Sequence, residues 1–223
     1  MNSSMRLPAV VLAGLATLAA SPAAIAASDS GVVKQPIRTE PFTGVVLSGM
    51  IDVTIGQAGA HSVVASGTEA ALSDLKAEVK DGKLHLAQKS RLRIGKRGKV
   101  RVTINMPDLQ SLELTGSGDV TISNMKLDKI ALTVTGAGDV TASGTCNDLH
   151  IQLTGAGDIT ARDLKCHNVS AQVSGSGDIS LHADRNVSAR VSGVSDLDIY
   201  GNPPERSVKV GGVGDVHFHD TAR

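Results

Sequence analysis

The sequence predicts an all-β fold, a right-handed single-stranded β-helix (β-solenoid) with coils of about 18–20 residues. A short Gly-rich motif, in most copies Gly-x-Gly-Asp, recurs six times through the second half of the chain. It is flanked by stretches in which apolar and polar residues alternate, which is the period of a strand with one buried face. Aromatic residues make up only 1% of the chain, so aliphatic side chains must fill the core.

Residues 1–26 have the composition of a secretory signal peptide. A basic start ending at Arg6 precedes an apolar run over 7–20, and small residues follow over 23–27. The apolar run is too short to span a bilayer, and we expect no transmembrane segment in the mature chain. Cleavage after Ala26 would leave an exported protein, whereas an uncleaved N-terminal anchor is the alternative.

Residues 27–41 are rich in Ser, Gly, Pro and charged residues and are expected to be a linker. Residues 42–223 are expected to form a single β-solenoid domain. Its first part, 42–111, is an irregular β region that would begin and cap the solenoid, because a terminal coil needs a cover. Strands are predicted there at 53–55, 62–65, 77–80, 84–88 and 100–105, with one helical turn within 69–75.

Residues 112–220 contain the repeats, and their aspartates mark the period. Successive motif aspartates are 20, 19, 20, 18 and 19 residues apart. So constant an interval indicates one supersecondary unit that is repeated, and 47–53 looks like a degraded earlier copy. In the fifth copy Ser195 replaces the second glycine, so that turn is expected to follow a different backbone path. The six aspartates are Asp119, Asp139, Asp158, Asp178, Asp196 and Asp215.

In-register stacking of the copies would place like residues on like along the solenoid axis. One apolar column would run from Leu114 to Val210 and a second from Val120 to Val216, on either side of the turns. A single coil cannot bury its own apolar face, so only the stack is stable. A two-sheet sandwich also uses short strands at this spacing. Sandwich loops differ in length and chemistry, however, and one recurring turn therefore favours the solenoid.

The motif context also points to a family. Val-Thr-Ile-Asn-Met-Pro-Asp-Leu at 102–109 leads into Leu-Glu-Leu-Thr-Gly-Ser-Gly-Asp at 112–119, and the Gly-x-Gly-Asp units follow. In this the chain resembles the bacterial secreted family named putative auto-transporter adhesin head GIN domain, also catalogued as a domain of unknown function. The resemblance extends over about 45–218. It implies a right-handed β-helix outside the cytoplasm with a non-enzymatic, adhesion-like role, and it supplies no catalytic residues.

The motif aspartates would stack at the β spacing of about 4.8 Å, where neighbouring carboxylates repel. Calcium would offset this repulsion, because it is bound by carboxylate and carbonyl oxygens. One carboxylate per coil is few for a calcium site, so Asp119, Asp139, Asp158 and Asp178 are weak metal candidates. The favoured interpretation is structural: each side chain accepts backbone N–H bonds within its own turn, and the glycines supply positive φ. No cofactor is expected.

The two cysteines, Cys146 and Cys166, are 20 residues apart and follow their motif aspartates by seven and eight residues. They therefore fall at the same corner of adjacent coils, within reach of a disulfide. In an exported protein a disulfide is the default expectation for such a pair. Two free thiols are the alternative, since a metal site would need more ligands.

Residues 89–101, the basic segment, contain seven basic residues and no acidic one. The segment is the best candidate for a binding surface, with an anionic glycan or another envelope component as its partner. The structural alternative is an edge hairpin whose positive charges discourage strand addition. The basic residues are Lys89, Arg91, Arg93, Lys96, Arg97, Lys99 and Arg101.

Composition and motifs exclude several function classes. Lys and Arg together number 22, as do Asp and Glu, so no overall field attracts nucleic acid and none is expected as a partner. No Ser/His/Asp order, P-loop or zinc-protease spacing occurs in the sequence. We therefore expect not an enzyme but an adhesin-like or envelope-binding domain in the periplasm or at the cell surface. A polysaccharide-active β-helix enzyme and a structural spacer are the alternatives, and an uncovered last coil with Phe218 would favour a homo-oligomer.

Overall fold

The computed structural model describes residues 31–88 and 99–220. They form a β-solenoid of about 5 turns, which confirms the predicted fold class. Parallel strands stack coil on coil, and aliphatic side chains fill the space that they enclose. Among these residues no helix has the length and apolarity to cross a lipid bilayer. The predicted signal peptide, 1–26, lies outside the described residues.

The irregular first part and the repeats differ in the lengths of their strands. The first part forms β1 (Val33–Ile37), β2 (Gly44–Ser48), β3 (Ile51–Gln57), β4 (Ser62–Gly67), α1 (Glu69–Leu72), β5 (Leu75–Lys80), β6 (Lys83–Gln88), β7 (Val100–Met106) and β8 (Ser111–Leu114). The repeats form β9 (Val120–Val134), β10 (Val140–Leu153), β11 (Ile159–Val173), β12 (Ile179–Val191), β13 (Leu197–Tyr200), β14 (Glu205–Val210) and β15 (Val216–His219). The five strands and the helical turn predicted within 42–111 are confirmed.

The two predicted apolar columns lie in the core. Val140 pairs in parallel with Val120 on one side and with Ile159 on the other, so like residues do stack. In the column that runs from Leu114 to Val191 no residue is more than 2% exposed, whereas Val210 in the last coil is 44% exposed. Burial of these columns therefore depends on a coil lying on both sides.

The stacking order of the first coils differs from their order in the chain. The coil formed by β2 and β3 contains the degraded copy 47–53, and it is a true member of the stack. On one side β2 and β3 pair with β8 and β9, and on the other with β6 and β7, which come later in the chain. After β3 the chain therefore leaves the stack to form β4, α1 and β5. It returns as β6 and β7 on one side of the coil of β2 and β3, and then crosses through 107–110 to continue as β8 and β9 on the opposite side.

The motif glycines are required mainly because adjacent coils approach closely at the turn. A Cβ atom on Gly136 would lie 1.8 Å from the carbonyl oxygen of Gly116, and one on Gly155 would lie 1.9 Å from that of Gly136. Among the glycines of the six copies only Gly177 and Gly214 have a positive φ, so the expectation of positive φ is wrong elsewhere. At those other positions glycine is needed for space rather than for conformation.

The fifth turn keeps the register of its neighbours, contrary to expectation. Val194 forms parallel bridges to Ser176 in the preceding coil and to Val213 in the following one. Ser195 is only 4% exposed, and its hydroxyl donates a hydrogen bond to the carbonyl oxygen of Gly177. The serine side chain is thus accommodated by a hydrogen bond to the neighbouring coil and does not redirect the backbone.

Antiparallel strands cover the N-terminal end of the stack. Strand β4 pairs with β7, and β1 pairs in turn with β4, with Val33 opposite Gly67. Strand β1 lies within the predicted linker, 27–41, but residues 33–37 are part of the cap. Although these residues are largely polar, the free edge of β4 offers them backbone hydrogen bonds. Between β4 and β5, helix α1 is N-capped by Thr68, whose hydroxyl accepts from the backbone N–H of Ala71 at 3.2 Å.

Candidate functional site

The motif aspartates form a line along the stack, and the carboxylates of Asp139, Asp158, Asp178 and Asp196 each accept a backbone N–H from the next coil. The backbone N–H of Asp158 donates to Asp139 Oδ1 at 2.9 Å, and that of Asp178 donates to Asp158 Oδ1 at 2.8 Å. The same bond joins Asp215 to Asp196 at 2.9 Å. The prediction that these side chains cap their own turns is therefore wrong in its detail, because the bonds run between coils.

This bonding gives the aspartate line a structural role. A backbone N–H donated to a carboxylate offsets part of its repulsion by the stacked charges beside it. In the part of the chain that the structure describes, no three His, Cys, Asp or Glu residues are grouped to hold a metal ion. The line begins at Asp52, whose Oδ1 accepts from the N–H of Asp119 at 3.4 Å. Calcium binding at Asp119, Asp139, Asp158 and Asp178 stays an untested prediction.

Cys146 and Cys166 lie directly opposite each other on β10 and β11. Their Cα atoms are 4.5 Å apart, and the structure joins their sulfur atoms. Both side chains are buried, with exposures of 4% and 0%. Their placement at one corner of adjacent coils agrees with the spacing argument, and the bond would connect two coils in the middle of the stack.

The basic segment lies largely outside the described residues, which exclude Lys89, Arg91, Arg93, Lys96 and Arg97. Of its remaining members, Lys99 precedes β7 and Arg101 lies on it. The Lys99 ammonium is 3.7 Å from Asp52 Oδ2, and its side chain is 77% exposed. Arg101 is exposed and occupies the position opposite Asp52 in the β3–β7 pairing. The described end of the segment therefore lies beside the N-terminal end of the aspartate line.

A groove that the sequence analysis did not anticipate runs along another face, across β8 to β12 and β14. Its bottom is a column of outward side chains that are small except for one histidine. We call this the floor column, and its members occupy consecutive register positions on neighbouring coils. They are Ser111, Ala131, His150, Ser170, Ser188 and Ser207.

The first wall of the groove, the corner column, consists of side chains that bond to one another. The Asn168 amide donates to Asp148 Oδ1 at 2.9 Å, and the Lys129 ammonium is 3.8 Å from Asp148 Oδ2. The Asn186 amide donates to Glu205 Oε2 at 3.2 Å. Both carboxylates of this wall are thus engaged by their neighbours along the column.

The opposite wall, the turn column, is different in its bonding. At its N-terminal end Glu113 is paired with the Lys83 ammonium. Further along, the side chains of Gln152, Gln172 and Arg190 have no hydrogen-bond or ion-pair partner among residues 31–88 and 99–220. All three are exposed. The complete column is Glu113, Thr133, Gln152, Gln172, Arg190 and Lys209.

Two hollows lie on either side of the floor column and overlap along the solenoid axis. The larger, of about 360 Å³, extends from Ala131 to Ser188 and touches the corner column. The smaller, of about 230 Å³, extends from Ser170 to Lys209 and touches the turn column. Both include Ser170 and Ser188, so they form one continuous depression parallel to the solenoid axis. Alternation in the sequence marks the outward residues, but only the three-dimensional bend of the coil turns these columns into a groove.

Aromatic and imidazole side chains gather at the C-terminal end of the stack. The Tyr200 ring stacks on His219 with centroids 4.5 Å apart, and His219 Nε2 lies 2.6 Å from Asp198 Oδ1. One coil earlier in this column, burial and, secondarily, the nearby Lys165 ammonium lower the pKa of His182. The rings of His217 and His219 are 6.4 Å apart, and the described residues show no metal-ligand set around them.

Comparison with known protein families identifies the family of this chain. A family model described as "putative auto-transporter adhesin, head GIN domain" matches residues 41–203. The chain belongs to this family. The resemblance noted in the sequence is thereby confirmed, and the family's name indicates a surface or exported protein. A search of curated proteins found no match.

Solved structures share the fold at low sequence identity. A putative adhesin from Bacteroides fragilis has a TM-score of 0.73 at 23% identity, over 85% of this chain and 98% of the other. A putative adhesin from Parabacteroides distasonis has a TM-score of 0.52 at 19% identity, with the same coverage. A putative lipid binding protein from the same species also has a TM-score of 0.52, at 18% identity and with the same coverage. At such identities the likeness concerns the fold alone.

Proposed function

We propose that the protein is an exported, non-catalytic, adhesin-like domain that binds a component of a cell envelope. The observation that carries this proposal is the solenoid face on which polar side chains recur once per coil beside a continuous groove. A surface that repeats at the coil spacing of about 4.8 Å fits a ligand that is itself a repeating polymer. The family description, and the names of two of the similar structures as adhesins, support this function.

The basic segment is one place where we propose that such binding occurs. Its seven basic residues, without an acidic one between them, would attract an anionic glycan or another anionic envelope component. Lys99 is partly balanced by Asp52, whereas Arg101 has no side-chain partner in the described part of the chain. This leaves net positive charge at the N-terminal end of the stack to meet an anionic ligand.

Self-association is a second partner interaction that we propose. The last coil leaves Val210, Val213 and Phe218 exposed by 44%, 69% and 38%, respectively. Arg206 lies over the Phe218 ring, with its guanidinium carbon 4.3 Å from the ring centroid. An exposed apolar end with arginine and aromatic side chains has the composition of an interface centre, and a second copy of the chain would cover it.

Binding to a panel of envelope fractions and purified glycans tests the proposed function. The wild-type protein is expected to bind at least one anionic member of the panel and to release no product from any of them. Charge reversal at Arg91, Arg93, Lys96 and Arg97 is expected to weaken binding by at least about tenfold, which is about 1.4 kcal/mol. Cleavage of a polysaccharide would instead support an enzyme, and an absence of binding throughout would support a structural spacer.

A further inference from the structure

We infer that the C-terminal half of the groove binds an acidic polysaccharide, whose chain lies along the solenoid axis with acidic groups at Arg190 and Lys209. The inference rests on the proposed envelope-binding function and assigns it a ligand class and a site separate from the basic segment. It concerns the smaller hollow, of about 230 Å³, and its continuation into the larger one.

The charge of this hollow is positive and unbalanced. Arg190 and Lys209 occupy register-paired positions on β12 and β14, so they lie on adjacent coils of one column. Both are exposed, and neither side chain has a hydrogen-bond or ion-pair partner within the described ranges. None of the residues that line the smaller hollow carries a carboxylate. An anionic group is therefore the complementary ligand for this end of the groove.

The acidic side chains on the opposite wall are already engaged. Glu205 belongs to the corner column, across the floor from Lys209, and its Oε2 accepts from the Asn186 amide. Asp148, further along that wall, accepts from the Asn168 amide. Because both carboxylates are bonded along their own column, they leave the two cations of the turn column available to a ligand.

The rest of the hollow offers the polar groups that sugar hydroxyls require. Ser170, Ser188 and Ser207 place one hydroxyl per coil along the floor, and each hydroxyl can donate and accept. The Gln172 amide, unbonded within the described residues, adds a donor and an acceptor on the wall next to Arg190. The same chemistry thus recurs on successive coils, as an extended chain of similar sugar units would need.

The larger hollow extends the site toward the N-terminus with a different surface. Its floor there is the methyl group of Ala131 and the ring of His150, because the apolar residues beside them, Ile130, Leu149 and Val169, are at most 3% exposed. The methyl group and the imidazole ring suit the C–H faces of sugar rings, while Gln152 lies across the floor on the turn column. The whole groove belongs to paired strands, so little conformational entropy is lost when a ligand binds.

Titration of the full-length mature protein with defined glycans tests this inference. The probes are oligomers of a uronic acid, sulfated oligosaccharides, a neutral dextran of matched length, and inorganic phosphate as a free anion. The uronate or sulfated oligomer is expected to bind, and dextran and phosphate to bind at least about tenfold more weakly. Equal binding of the neutral and acidic oligomers would overturn the inference.

Matched variants locate the site. The double substitution Arg190→Glu with Lys209→Glu is expected to weaken acidic-glycan binding by at least about tenfold. The control, Lys126→Glu with Lys165→Glu, makes the same change in net charge at exposed positions of another face. It is expected to change binding less than about twofold. Ser188→Trp, which fills the floor without removing charge, is expected to weaken binding as well, while thermal melting verifies that each variant is folded.

The outcomes separate this inference from the proposed function. Acidic-glycan binding that survives the groove variants but is lost on charge reversal in the basic segment would refute the groove site alone. Equal losses in the groove variant and its control would show a general charge effect and would also refute the site. If the wild-type protein bound none of the probes or envelope fractions, the proposed function itself would fail.

Discussion

The two ends of the solenoid differ in whether further strands cover them. At the N-terminal end β4 and β1 add antiparallel strands to β7, and β5 adds one to β6. The outer strand β1 carries Lys34 and Pro36, residues that discourage further strand pairing. At the C-terminal end β14 and β15 have no strand beyond them in the described part of the chain, and β15 carries neither proline nor a Lys, Arg, Asp or Glu side chain.

The contrast shows that burial in this fold is provided by neighbours rather than by the coil itself. The coil of β2 and β3, with a coil on either side, keeps Leu47 and Ile55 at 1% and 0% exposure. The equivalent positions in the last coil, Val210 and Phe218, are 44% and 38% exposed although their sequence pattern is the same. Each coil thus completes the core of the one before it.

The largest effect is expected from a methyl group placed between covered coils. A Cβ atom on Gly116 would lie 1.9 Å from the carbonyl oxygen of Gly49, whereas the nearest atom to one on Gly211 is 4.0 Å away. Gly116→Ala is therefore expected to lower the free energy of unfolding by about 3 kcal/mol or more, and Gly211→Ala by less than about 0.5 kcal/mol. Urea denaturation measures both, and equal losses would contradict the requirement for close approach at the turn.

The disulfide between Cys146 and Cys166, in the middle of the stack, would stabilise the whole solenoid. Replacing Cys146 and Cys166 together by alanine would remove a bond that closes a loop of 20 residues. The expected loss is about 3 kcal/mol in the free energy of unfolding. Reduced wild-type protein should melt at the temperature of the double variant. Mass measurement after alkylation, with and without reduction, verifies the bond, and two alkylated thiols in the unreduced sample would show that it does not form.

We expect the C-terminal end of the solenoid to self-associate and the N-terminal end not to. Light scattering of the wild-type protein should show a concentration-dependent oligomer that Phe218→Asp abolishes. The new carboxylate would lie beside Arg206, so the last coil should remain folded. Val33→Asp, at a 48% exposed position of β1, is the matched control and should associate like the wild type. A wild-type protein that stays monomeric at high concentration would rule out association through the open end.

The smallest effect on stability is expected from a change of pH near the pKa of His182. Burial lowers the pKa of His182, so the unfolded chain takes up its proton at a higher pH than the folded protein does. The contribution of neutral His182 to the free energy of unfolding is fully present above pH of about 6.5, the ordinary histidine value. It is lost as the pH falls from there through the lower pKa of the folded protein. Replacement by Asn should flatten the pH dependence of the melting temperature in that range. An unchanged slope would show that His182 does not contribute.

The regular half of the molecule was predictable because one pattern repeats. Alternation around each turn placed Val140 beneath Val120 and identified the buried columns, and the spacing of the two cysteines placed them at one corner. The role of the glycines was harder to predict. Sequence shows that glycine is required, but only the distance between coils distinguishes a lack of space at Gly136 from a positive φ at Gly177.

The irregular half and the groove were less accessible for physical reasons. Nothing local in 42–111 indicates that β6 and β7 stack beneath a coil that precedes them, because parallel pairing between distant segments has no short-range signal. The aspartate bonds were misassigned because the donor, the N–H of the next coil, is about twenty residues away. The residues of the turn column were recognisable as outward, yet which columns flank a depression depends on where each coil bends.

The reversed order of the first coils has a consequence for how the chain acquires its structure. Strands β2 and β3 emerge during synthesis or export before the strands that flank them, because both of their flanking coils come from residues after 82. The coil of β2 and β3 therefore cannot be enclosed until the chain has extended to Ser123. Growth of the stack would then start from an internal coil and proceed in both directions, a route with long-range contacts that is expected to make folding slow.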